Sequence, residues 1–111
     1  MPGQALNYLD AIAAMIRDEV PSRALPPTKG TESLFRIYAV LLQAKGSQVS
    51  SQDVHNAWVA WMAGRDDDHS ALVAYEELPE DVAREDDVYV AAIRRVATRL
   101  SETSLGKLEE Q

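Results

Sequence analysis

Apolar residues recur at helical spacing in four separate stretches of this 111-residue chain, and that pattern limits the fold more than any other feature. Leu6, Leu9, Ile12, Ala13, Ile16 and Val20 form the first stripe. They predict a helix over about residues 4–19, stopped by Pro21. Leu34, Phe35, Ile37, Tyr38, Leu41 and Leu42 form a wider stripe, apolar on more than one face, which places the second helix centrally. Thr31 is its expected N-cap, and Lys45 followed by Gly46 its expected end. Ser50-Ser51-Gln52-Asp53 reads as a capping box in carboxylate form. Behind it Val54, Ala57, Trp58, Trp61 and Met62 keep to one helical face, and Gly64 closes the helix. The last stripe is Val88, Tyr89, Ala92, Ile93, Val96 and Leu100, with Asp86 or Asp87 as the cap.

The connections are legible too. PSRALPPTKG, residues 21–30, holds three prolines and a glycine and reads as an extended link along the surface. Leu72, Val73 and Tyr75 are too few for a strand and read as an extended segment. Pro79 suits the start of a short helix over Glu80–Arg84. Residues 102–111 are polar and are expected to fray. The expectation is an all-α, compact single-domain bundle over residues 1–101, of four long helices, with an irregular loop and short helix between the third and the last.

Composition narrows the function. With no cysteine, disulfides and thiolate zinc sites are excluded. No apolar run reaches the roughly 20 residues of a membrane span. MPGQALNYLDAIAAMIRDE has no basic leader ahead of an apolar stretch, so a cytoplasmic protein without a signal peptide is expected. A net charge of −7 repels phosphate backbones, so neither nucleic acid nor membrane is an expected partner. Arg94, Arg95 and Arg99 are the best candidates for a local basic patch, although cations near a helix end also complement its dipole.

No G-x-S-x-G, P-loop, G-x-G-x-x-G or HExxH motif is present. His69 beside Asp66, Asp67 and Asp68 offers hard-metal ligands, but the spacing is not that of an EF-hand loop, and a solvated loop is the expectation. The acids from Glu76 to Asp87 supply many carboxylate pairs, yet the sequence buries none of them, as acid–base chemistry would require. No catalytic residue, metal or cofactor is therefore expected. His55 and Trp58 on the third helix, with His69 and Tyr75 beyond it, are the candidate ligand-binding residues, around a small pocket between that helix and the Leu72–Tyr75 loop. The competing reading puts Trp58 and Trp61 in the core and ties both histidines to backbone. On that reading His69–Asp87 is an ordered connection. Leu72, Tyr75 and Leu78 turn towards the third helix, and the Tyr75 hydroxyl meets His55 or a backbone carbonyl.

His55-Asn56-Ala57-Trp58, then His69-Ser70-Ala71-Leu72-Val73-Ala74-Tyr75, Glu77-Leu78-Pro79-Glu80 and Asp86 resemble the repeat domain of ryanodine receptors over about residues 52–97. That repeat carries H-N-x-W on a helix, an H-P-x-L-V-P-Y loop and a short acidic L-P-E helix. Here Ser70 and Ala74 stand where it has prolines, and one half of its double repeat is present. The whole chain also looks like a group of small proteins of high-GC bacteria and their phages, through Leu34–Gly46. The resemblance implies a non-catalytic regulatory module, with nucleotide-derived signals as a suggested ligand class. The expected function is a small non-enzymatic interaction or regulatory protein, binding a protein partner through a helical surface. The alternative is a module that binds a nucleotide-like or other small ligand.

Overall fold

A computed structural model describes residues 7–25, 30–65 and 71–110, with the side chains of the last helix described as far as Glu102. Four long helices form: α1 (Tyr8–Glu19), α2 (Thr31–Lys45), α3 (Ser51–Met62) and α5 (Asp87–Glu110). A five-residue helix, α4 (Glu80–Arg84), sits between the last two. Single 3-10 turns occur at Ser22–Ala24, Gly46–Gln48 and Tyr75–Glu77, and no strand forms among the described residues. The chain is the expected all-α bundle.

Local chemistry sets the helix ends. Asn7 caps α1 by accepting from the Asp10 N–H at 2.9 Å, so the helix begins later than the predicted residue 4. Thr31 is the first helical residue of α2, not its cap. Gly30 holds the cap position at φ +86°, a backbone conformation natural to glycine, and the Ser33 hydroxyl donates to its carbonyl at 2.8 Å. Gly46 ends α2 at φ +54° as its N–H reaches the Leu42 carbonyl. Both halves of the capping box form on α3. The Asp53 N–H donates to Ser50 Oγ at 3.3 Å, and the Ser50 N–H donates to Asp53 Oδ2 at 3.0 Å. The helix ends at Met62, ahead of Gly64. α5 continues through Glu110, into the polar segment expected to fray.

The core gathers on α2, which touches α1, α3 and α5. Ile12 and Ile16 from α1, Leu34, Phe35, Tyr38 and Ala39 from α2, and Ala92, Ile93 and Val96 from α5 are all buried. Each large apolar side chain removed from water there stabilises the fold by about 1.5–3 kcal/mol. Polar ties then fix the outer helices. Arg94 Nε donates to the Val49 carbonyl at 2.8 Å, joining α5 to the α2–α3 connection. Arg95 and Arg99 both grip Glu19 at the end of α1. The three arginines of the candidate basic patch are thus joints between elements. Those two guanidiniums hold the Glu19 carboxyl below its ordinary range.

Candidate functional site

On the opposite side, α3 faces a less filled region. A groove of about 820 Å³ opens between α2, α3, the Arg23–Leu25 turn, α4 and the start of α5. Helical spacing explains α3's share of it: His55, Trp58 and Met62 lie one turn apart on one face and all three line the groove. Leu34 and Tyr38 form the floor from α2. Leu78, Pro79 and Val82 make one wall, and Asp86, Val88 and Tyr89 another.

His55 is buried, with only 3% of its surface exposed. Its Nε2 lies 2.6 Å from the Val73 carbonyl, so that nitrogen carries the proton and donates. The imidazole stacks on Trp58 at 5.9 Å and meets the Tyr75 ring at 6.1 Å. His55 therefore ties the 71–78 segment to α3 while one side of it faces the groove. Trp58 is half-buried and forms groove wall. Tyr75 packs against His55 but does not line the groove, and it begins a 3-10 turn instead of an extended segment. The sequence offers its hydroxyl His55 or a backbone carbonyl, and of these the His55 Nε2 is engaged with the Val73 carbonyl. Leu72, Tyr75 and Leu78 are half-buried while Val73, Ala74, Glu76 and Glu77 are exposed, so the inward turn at every third residue holds. Gln52 Nε2 donates to the Glu76 carboxylate at 3.1 Å and strengthens the tie. His69 and Asp66–Asp68 lie outside the described residues; among those described, no three metal-ligating groups cluster.

Trp61 behaves differently from Trp58. It is buried, its Nε1 donates to Ser33 Oγ at 2.9 Å, and the Arg65 guanidinium covers its ring at 4.2 Å. Both its polar end and its face are occupied.

Three groove residues were not singled out in the sequence as binding groups. Tyr38 is 1% exposed and lines the groove. Burial pushes its hydroxyl well above the usual tyrosine range, so it stays protonated. Tyr89 packs its ring on Tyr38 at 5.6 Å and donates its hydroxyl to the Ala24 carbonyl at 2.5 Å, which pins the 22–25 turn over the groove. Burial also raises its pKa, helped by the Asp86 and Glu85 charges. Asp86 immediately precedes α5, where its carbonyl accepts from the Tyr89 and Val90 N–H groups at 3.0 Å. Asp86 lines the groove. Burial pushes its pKa up to about 6; His55 opposes the rise, while Glu85 and Asp87 add to it. The sequence showed no buried acid in this stretch, yet the fold desolvates this one. Its signals in the sequence were its place as a helix cap and its position in the ryanodine-receptor-like stretch, neither of which points to burial.

Fold and groove together define a class: a small all-α domain with an apolar groove carrying one desolvated carboxyl. Residues 7–98 match the family described as a domain of unknown function, DUF7701, and the chain belongs to that family. The match spans every residue lining the groove. No curated protein and no solved structure matches the chain. No described helix is long and apolar enough to cross a membrane.

Proposed function

We propose that this protein is a non-catalytic binding module that takes a small ligand in the groove between α3 and the start of α5. One observation carries the reading: a concave space of about 820 Å³, walled by Trp58, Leu78, Val82 and Tyr89, with Asp86 and Tyr38 also in its lining. Small-molecule sites are commonly apolar clefts of about 300–1,000 Å³ with a few polar groups that fix orientation. The ryanodine-receptor-like stretch supports it, since His55, Trp58, Leu78, Pro79 and Asp86 of that stretch line the groove. The same likeness, with the Leu34–Gly46 run, supports a regulatory role and an origin in high-GC bacteria or their phages. A protein partner on a helical surface has less behind it. Among the described residues, the large exposed apolar ones are Tyr8, Val40 and Val73, one each on α1, α2 and a loop.

Thermal unfolding in the presence of a diverse fragment panel tests the proposal. A ligand at 100 times its Kd stabilises the fold by about 2.7 kcal/mol. Binding is also expected to change Trp58 emission, read in a Trp61→Phe background. A panel with no stabilising compound and unchanged Trp58 emission would refute the groove as a ligand site.

A further inference from the structure

We infer that the groove selects an organic cation: a small molecule with an amine, amidine or guanidine nitrogen on an apolar or aromatic body, its charge held by Asp86. The inference rests on the binding-module reading and names its ligand class.

Asp86 supplies the charge. Among the described residues, no hydrogen bond or ion pair occupies its carboxylate, although it is partly withdrawn from water in the groove wall. A desolvated, unpaired anion is costly, and a bound cation relieves that cost. The surroundings suit the rest of such a ligand. Trp58 and Tyr89 present aromatic surface, which attracts a cation over its face. Leu34, Met62, Val82 and Val88 accept an apolar body. Tyr38, 1% exposed and in the groove lining, has a hydroxyl that can accept from a second N–H.

The same groups disfavour an anion. Asp86 and Glu85 both line the groove, and the whole chain carries −7. Arg23 is the groove's one cation among its described lining, and it stands exposed at the edge, where solvent weakens its pull. A phosphorylated ligand would bring its charge against two carboxylates. The groups facing Asp86 are His55 from α3, Tyr38 from α2, Glu85, and Asp87 and Tyr89 from the start of α5, with Arg23 across the groove. Since Asp86 takes up a proton near pH 6, cation affinity falls as pH drops through that value.

Calorimetric titration of the full chain with benzamidine, its neutral analogue benzamide, and AMP decides the matter. Benzamidine is expected to bind at pH 7.5 at least about tenfold more tightly than benzamide, a gap of about 1.4 kcal/mol. Asp86→Asn should lose that preference. Asp18→Asn, which removes one exposed charge from α1 away from the groove, should keep it. Equal binding of benzamidine and benzamide, or an equal effect of the two variants, overturns the inference. AMP binding with benzamidine silent overturns it and leaves the binding module standing. Silence from all three, together with no stabilising fragment in the wider panel, removes both.

Discussion

The two sides of α2 are built from similar residues and finished differently. Towards α1 and α5, Ile16, Ala39, Ile93 and Val96 are sealed from solvent. Towards α3, α4 and the 22–25 turn, Trp58, Leu78, Val82 and Val88 are only half-buried around open space. Helix length accounts for much of this. Long helices lay continuous stripes against one another, whereas α4 has five residues and the segments beside it are tied by hydrogen bonds such as His55–Val73, Gln52–Glu76 and Tyr89–Ala24. The filled side supplies stability, and the other side leaves the open space that the proposed ligand site needs.

Truncating the sealed side should cost most. Phe35 is 2% exposed and meets Tyr38 edge-on at 5.6 Å, so Phe35→Ala should destabilise by about 3–5 kcal/mol. Urea unfolding measures it, and a loss under about 1 kcal/mol would mean that the core is not centred on α2. The groove wall should be cheaper. Trp58→Ala removes a larger ring that is only half-buried, and about 1–2 kcal/mol is expected alongside loss of ligand binding. Should it destabilise as much as Phe35→Ala, the two sides are equivalent and the contrast fails.

The smallest effect is electrostatic and belongs to the groove alone. Asp86 has a folded pKa of about 6 against an ordinary value of 3.8. The folded protein therefore holds the proton more tightly than the unfolded chain. The stability this confers is fully present below about pH 4 and is lost as pH rises through about 6. Two other acids run the opposite way. Arg99 and Arg95 lower the pKa of Glu19. Burial would raise that of Asp53, but the Ser50 N–H and Lys45 outweigh it and hold it below its ordinary value. Their contributions are present above their ordinary values of 4.5 and 3.8 and fade as pH falls further. Unfolding midpoints of Asp86→Asn and the parent should thus diverge between pH 4 and 7, the variant becoming the more stable as pH rises. Parallel profiles would show that Asp86 is fully hydrated and the groove wet at that end.

Local rules carried the sequence reading a long way. Periodicity fixed the number of helices and their buried faces, because a helix buries whichever residues fall three or four apart. The capping box on Ser50 and Asp53, the glycine stop at Gly46 and the Pro79 start of α4 act within a turn of their own residues, so they were readable without a fold. His55 and Trp58 were also recoverable as neighbours, being three apart on one helix. What failed needed distance in sequence. Tyr89 reads as core until the Ala24 carbonyl, 65 residues away, receives its hydroxyl. Arg94, Arg95 and Arg99 read as a solvated face or a local patch, and their ties to Val49 and Glu19 appear only in the fold. Asp86 reads as one solvated acid among seven between His69 and Asp87. Only the arrival of α2 and α3 beside it withdraws water from that carboxyl, and desolvation is a property of the surroundings that no residue carries in its own type.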